Sequence, residues 1–284
     1  MLSTWTFDPL VVAGLILAAF SYLWAARVVS RAHPNQPWPI RQFSCFIGGL
    51  ALLWIALLGP IGSYDDVFFW AHMTQHMIMM MVAAPLLVLG EPALLVLRAS
   101  TPEFRKRRLL PLLRSRLMRW LSDPVLTWLA FVGVLTGTHF SPFYDYALRH
   151  QWAHEFVEHP LYLAVAVLYY YPIIGSNPGA RRLSPASRVV SLLLMMVPEA
   201  LTGFFLYASP FVVYPYYATV ARPFGPDVLA DQQLGGALMW AGSMLLDTAW
   251  VALAAREWLR HDARRVRRTD AAVVIESAKA SEAY

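Results

Sequence analysis

Residues 68–90 read FFWAHMTQHMIMMMVAAPLLVLG, a stretch without any Asp, Glu, Lys or Arg. About 20 helical residues cross the hydrocarbon core of a bilayer, so this stretch is long enough to span it. Lipid offers the backbone no hydrogen-bond partner, and nothing in the pattern resembles the alternating strands of a membrane barrel. The stretch therefore predicts a membrane-spanning α-helix.

The rest of the chain repeats this character. Of its 284 residues, 58% are hydrophobic and 14% are charged, an apolar excess too large for an ordinary soluble domain. We predict an all-α, polytopic transmembrane helical bundle of about seven spans. It forms one domain over residues 1–268, followed by a disordered cytoplasmic tail over 269–284. The spans are predicted at 9–29, 42–59, 68–90, 124–141, 157–175, 188–209 and 233–255.

The basic residues predict the orientation of the bundle. All but Arg149 and Arg222 of the 23 Lys and Arg lie in the loops after predicted spans one, three and five or in the C-terminal tail. Cytoplasmic loops carry such an excess, so we place the N-terminus outside and the C-terminus inside, in a bacterial inner membrane. The net charge of +5 then reflects topology and not nucleic-acid binding. The basic, Leu-rich loop 101–123 is expected to contact lipid at the inner surface.

This orientation gathers six of the eight histidines at the outer side of the membrane. They are His72, His76, His139, His150, His154 and His159. Ionisable side chains are costly near the membrane interior, so their presence indicates a function. Cys45 is the only cysteine, and any metal must therefore be held by His, Met or carboxylate groups.

The run HMTQHMIMMM over residues 72–81 is the most specific candidate for a metal site. His72 and His76 are four residues apart, so both imidazoles lie on one helical face. Met79 and Met80 extend this face by a further turn, and Met73 and Met77 form the neighbouring stripe. Imidazole and thioether ligands without a thiolate suit copper, particularly Cu(I). The alternative is structural: methionines fill gaps in apolar helices, and a membrane histidine can bond to a neighbouring helix.

A second candidate is HQWAHEFVEH over residues 150–159. His154 and Glu158 share a helical face, and His159 lies about 100° further round. With His139 at similar depth, these residues are candidates to complete the site that His72 and His76 begin. The alternative is that they are solvated residues near the lipid headgroups.

Two acids, Glu199 and Asp247, fall inside predicted spans. Pro198 removes a helical hydrogen bond just before Glu199, which opens the backbone there. Glu199 is a weaker candidate for a metal ligand or a proton-relay group, with a structural acid that ties two helices together as the equal alternative. For Asp247 the structural role is the simpler explanation.

The stretches HMTQHMIMMMVAAPLLVLGEP, HEFVEHPLYLAVAVLYYYPIIGSNPGARRL and DQQLGGALMW occur in this order over residues 72–240. In them the chain resembles the CtaG-like multi-span family associated with assembly of haem-copper cytochrome c oxidase of the caa type. The resemblance implies that copper is supplied to the oxidase at the outer face. By the same resemblance, the ligands would be His72, His76, His154 and His159.

The sequence thus favours a copper-binding assembly factor that is not an enzyme. Its partners would be a cytochrome c oxidase subunit and another copper chaperone, and a homo-oligomer is compatible with the sequence. One alternative is a b-type cytochrome or quinol-reactive enzyme, in which His76 and His159 ligate haem. Another is a copper or proton-coupled transporter that uses Glu199 and Asp247. A zinc hydrolase is disfavoured because HMTQH lacks the Glu of HExxH.

Overall fold

The computed structural model describes residues 4–175 and 183–282, which form helices and no strand. The helices, in chain order, are α1 (Pro9–Ala32), α2 (Ile40–Leu58), α3 (Phe69–Ala99), α4 (102–113), α5 (Arg116–Leu121), α6 (Pro124–His139), α7 (Phe143–Arg149), α8 (151–174), α9 (Pro185–Ala208), α10 (Tyr216–Thr219) and α11 (228–282). The prediction of an all-α fold is confirmed.

Five helices of the described part are long and apolar enough to cross a membrane: α1, α2, α3, α9 and residues Val228–Arg264 of α11. The pair α6 and α7 would count as a sixth span, bent by 68°. These helices indicate a membrane protein, but the predicted number of seven is not confirmed. The predicted span 157–175 lies in α8, which is not among the five. Its composition is less apolar because it contains Glu158, His159 and three consecutive tyrosines, 169–171.

The last helix, α11, continues through Glu282, over most of the segment 269–284 that the sequence predicts as a disordered tail. The disorder of that tail stays a prediction. Residues 269–282 contain neither Gly nor Pro and include four Ala and two Glu, which have high helix propensity. The local preference for helix therefore accounts for the continuation.

Four segments of the described helices have the wider π-helical turn: Ile78–Ala83 in α3, Arg105–Leu109 in α4, His154–Glu158 in α8 and Leu238–Gly242 in α11. In the first three, a proline follows two residues after the segment ends, at Pro85, Pro111 and Pro160. Proline has no N–H and clashes with the carbonyl four residues before it, and a wider turn accommodates both effects. The proline positions thus give a physical reason for the local widening.

Glycines allow α11 to approach its neighbours closely. A Cβ on Gly236 would lie 2.4 Å from the backbone nitrogen of Tyr207, and one on Gly203 would lie 2.5 Å from that of Trp240. A Cβ on Gly235 would meet the ring of Phe69 at 2.4 Å. Small residues at such crossings are typical of membrane helices. The Gly-Gly pair of the DQQLGG motif therefore fixes α11 against both α9 and α3.

The two ends of the bundle differ in charge. Arg98 lies at the end of α3 opposite to His72 and donates to the carbonyl of Gln36 at 2.8 Å. Arg149 and Arg222, the two arginines at the histidine-bearing end, both form ion pairs. Arg149 pairs with Asp145 at 2.7 Å, and Arg222 pairs with Asp231 at 2.9 Å. The positive charges of the two arginines that lie outside the basic loops are therefore each balanced by a nearby carboxylate.

We expect alkaline phosphatase fused after Tyr284 to be inactive and the same enzyme fused to a chain truncated after Gly225 to be active. The reason is that phosphatase folds only outside the cytoplasm, and the basic loops are expected to stay inside. Phosphatase assays on intact cells with matched expression levels check both fusions. Activity of the fusion after Tyr284 would contradict the predicted orientation.

Candidate metal centre

His72 and His76 lie one turn apart on the first segment of α3. Both side chains are buried, and their ring centroids are 4.2 Å apart. None of their four ring nitrogens has a hydrogen-bond partner among the described residues. Buried polar groups are normally paired, so two unpaired imidazoles beside each other are unusual and point to a ligand-binding role.

The π-helical turn of α8 directs three further side chains toward this pair. The N–H of His159 donates to the carbonyl of His154, five residues earlier. This wider turn brings residues five apart closer to one face than an α-helix would. The rings of His154 and His159 consequently lie 4.4 Å apart, centroid to centroid, with Glu158 between them in the sequence. The sequence predicts an α-helix here, in which His159 lies about 100° from Glu158, and it does not predict the π-helical turn.

Glu158 lies at the centre of the cluster and is fully buried. One of its oxygens accepts a hydrogen bond from Nδ1 of His154 at 2.7 Å. The other lies 3.4 Å from Nε2 of His72 and 3.9 Å from Nε2 of His76. These last two contacts are close enough for attraction between charges but do not have hydrogen-bond geometry. Glu158 is thus the common anionic neighbour of three imidazoles.

Asp65 and Gln75 complete the cluster, although the sequence did not predict them as ligands. Nε2 of His154 lies 3.2 Å from Oδ2 of Asp65, which also accepts a bond from Gln75 at 2.8 Å. Nε2 of His159 donates to Oε1 of Gln75 at 3.1 Å. The available signal for Gln75 was its position inside HMTQH, three residues after His72. For Asp65 it was only its location in an outer loop.

Two groups of buried side chains in the described part have the spacing of metal ligands. They are Asp65 with His154 and His159, and His72 with His154 and Glu158. In each group the candidate ligand atoms lie within 4.8 Å of one another. Imidazole and carboxylate donors suit several transition metals, including copper and zinc. His154 belongs to both groups and is therefore the central residue of the site.

Burial alone would lower the pKa of His154, because it disfavours the charged imidazolium. Hydrogen bonds to Asp65 and Glu158 outweigh this effect and raise the pKa to about 10. The same interaction overcomes the effect of burial on Asp65 and lowers the pKa of its carboxyl group. At neutral pH the imidazolium of His154 therefore lies between two carboxylates. A metal cation bound there would supply the positive charge in its place.

A cleft connects the cluster to the protein surface at the histidine-bearing end of the bundle. It has a volume of about 800 Å³ and includes both His154 and His159 in its lining. Four acids also line it: Asp8, Asp65, Asp66 and Glu155. Clefts lined by one sign of charge raise the local concentration of the opposite ion. The cleft therefore offers cations a route to the buried histidines.

The remaining candidates lie elsewhere. His139, Met73, Met77, Met80 and Glu199 line a second cavity together with His76, on the inner side of the cluster. His150 is exposed and bonds to the carbonyl of Tyr146 at 2.9 Å, outside both cavities. The side chains of Glu199 and Asp247 are hydrogen-bonded to each other. This contact joins α11 to α9.

Asp231 of α11 positions the helix that carries His72 and His76. Its two carboxylate oxygens accept bonds from the first N–H groups of α3, from Phe69 at 2.9 Å and from Trp70 at 3.1 Å. Because the N-terminus of a helix is partly positive, a carboxylate is stabilised there. The DQQLGG motif therefore holds α3 in position and does not itself supply candidate metal ligands.

The family resemblance of the three motifs is confirmed. A family model described as the cytochrome c oxidase caa3 assembly factor matches residues 20–261. This protein belongs to the caa3 oxidase assembly factor family.

Uncharacterized mycobacterial proteins are similar to this chain along most of its length. Proteins of Mycobacterium bovis and Mycobacterium tuberculosis are each 31% identical over 277 residues, and one of Mycobacterium leprae is 30% identical over 275. The alignments cover 94–95% of this chain but only 41–42% of those proteins. No solved structure matches.

We expect Asp65→Asn to lower the pKa of His154. The substitution removes a negative charge and an acceptor that favour the imidazolium, so the pKa should fall by about 1 or more. Nitrogen-15 NMR titration of histidine-labelled, metal-free protein measures this change, with a His154→Gln spectrum to assign the signal. The exposed Asp66→Asn is the matched control. A pKa unchanged by Asp65→Asn would contradict the assigned contact.

We expect Asp231→Ala to destabilise the protein by about 3 to 5 kcal/mol, because it leaves the partly buried Arg222 without its carboxylate partner and removes two bonds to α3. Asp227→Ala is the matched control. Asp227 is exposed and caps α11 through Ala230, so its loss should cost about 1 kcal/mol. Unfolding in detergent micelles measures both values. Equal values would show that Asp231 does not support α3 in this way.

Proposed function

We propose that this protein is a membrane-embedded, copper-binding assembly factor that helps to mature haem-copper cytochrome c oxidase. Family membership supports a non-catalytic role in oxidase assembly. The observation that carries the copper-binding part is the buried cluster of four histidines around Glu158 and Asp65. Copper is held there at the outer face of a bacterial inner membrane and is then delivered to an oxidase subunit.

The charges of the cluster favour a cation as its ligand. Asp65 and Glu158 supply two carboxylates in a buried environment, where unpaired anions are strongly disfavoured. In the metal-free protein the protonated His154 compensates part of this charge. A metal must displace that proton, because only a neutral imidazole binds metal. Binding is therefore an exchange of one cation for another, which limits the change in buried charge.

The outer cleft defines where copper enters and leaves. A small copper chaperone or copper in solution reaches His154 and His159 from this side, past the acids of the cleft. The acceptor is proposed to be an oxidase subunit that docks on the same face. Transfer between proteins then needs only ligand exchange at the cleft.

We expect His154→Ala to lower the copper affinity of the outer cluster by more than about tenfold, because His154 belongs to both candidate ligand groups. Purified protein is loaded with Cu(I) under reducing conditions, desalted and analysed for bound metal. Glu158→Gln, which retains the side-chain volume, should also lose affinity. The matched control is His150→Ala, because His150 is exposed and outside the cluster.

Two further readouts separate the alternatives. A strain that carries His154→Ala as its only copy should lose caa3-type oxidase activity, while the His150→Ala strain keeps it. The visible spectrum of the purified protein should lack a Soret band, whose presence would favour the cytochrome alternative instead. Copper retention unchanged in both His154→Ala and Glu158→Gln would overturn the proposal.

A further inference from the structure

A second cavity lies directly beneath the histidine cluster, inside the bundle. Its volume is about 30 Å³, enough for one or two water-sized groups or an ion. Five of its twelve lining residues are methionines: Met73, Met77, Met80, Met81 and Met239. The polar side chains of its lining are His76, His139, Tyr162, Glu199 and Ser243.

Three buried side chains of this lining have polar atoms without a hydrogen-bond partner in the described residues. They are both ring nitrogens of His76, Nε2 of His139 and Oε2 of Glu199. His139 is fixed by a bond from Nδ1 to the carbonyl of Leu135 at 2.7 Å, which leaves Nε2 as its open position. Such groups cost free energy when they are buried and unpaired, so their convergence on one cavity points to a ligand.

The local helix geometry places the methionines around this cavity. The π-helical segments Ile78–Ala83 and Leu238–Gly242 lie on two sides of it and supply Met80, Met81 and Met239. Gly242 leaves room for Met77, whose Cε would lie 2.6 Å from a Cβ at that position. Met79, within the first segment, packs instead against α2 with Leu50 and Leu53. The methionine run is therefore divided between the cavity and the α2 interface.

We propose that this cavity is a second copper site, specific for Cu(I) and built from methionine thioethers with His76 and His139. The inference rests on the proposed copper-binding function. Thioether sulfur is a soft ligand that favours Cu(I) and disfavours magnesium and calcium, which prefer oxygen ligands. Glu199 faces the same space and supplies a carboxyl oxygen, Oε2, that has no hydrogen-bond partner among the described residues.

His76 links this site to the outer cluster. Its Nε2 lies 3.9 Å from Glu158, while its side chain also lines the methionine cavity. Copper can therefore move between the two sites by exchanging one ligand at a time, with His76 common to both. The outer site has oxygen and nitrogen donors, and the inner site adds sulfur, so the inner site selects the reduced ion.

The test measures Cu(I) bound by purified full-length protein in a Cys45→Ser background, so that methionine is the only source of sulfur. Met73, Met77, Met80 and Met239 are replaced together by Leu, which largely keeps their volume. The control replaces Met79 and Met195, two buried methionines outside the cavity. We expect about two copper ions in the parent and control and about one in the four-site variant. The parent and control should also show copper–sulfur scattering in X-ray absorption.

The outcomes distinguish the two proposals. If the four-site variant keeps all copper, or if the parent shows no copper–sulfur scattering, the second site is overturned while the outer site stands. If the parent binds no copper at all, both proposals are overturned. Should the four-site variant fail to fold, the double variant His139→Gln and Glu199→Gln replaces it, with loss of one copper ion expected. Retention of that ion would overturn the inference.

Discussion

The site depends on one constraint, the burial of the Glu158 carboxylate among imidazoles. A buried anion is strongly disfavoured unless positive charge or hydrogen-bond donors surround it. His154 supplies both through its bond at 2.7 Å, and Asp65 holds this ring from the other side. His72 and His76 face the remaining oxygen without bonding to it. The remaining oxygen of Glu158 therefore has no hydrogen-bond donor. A cation bound there would join this oxygen to the two imidazoles.

The backbone of the bundle is adapted to this constraint through its π-helical turns. In α8 the wide turn places His154 and His159 on nearly the same face. In α3 the wide turn begins at Ile78, two residues after His76, and contains Met79, Met80 and Met81. Pro85 and Pro160 follow these turns and prevent regular α-helical bonding nearby. The prolines thus shape the site through the backbone.

Much of this arrangement was predictable from the sequence, and the reasons for the remainder are specific. Apolar length and composition predict helices, and the spacing of His72 and His76 predicts that they share a face. Periodicity could not predict that His159 turns toward His154, because α-helical spacing does not apply within a π-helical turn. Neither could it identify Asp65, since a contact between residues 65 and 154 depends on tertiary packing. The role of Asp231 as the N-terminal support of α3 was missed for the same reason.

The chemical character of the donors changes with depth in the bundle. At the outer cleft, Asp65 and Glu155 provide oxygen, which attracts cations of many kinds through charge alone. Imidazoles come next, and they favour transition metals over magnesium and calcium. Methionine sulfur lies deepest, where a strongly hydrated or doubly charged ion would be most costly to bury. In the proposed two-site arrangement, an ion that moves inward along this sequence of donors loses water step by step, and selectivity increases in the same direction.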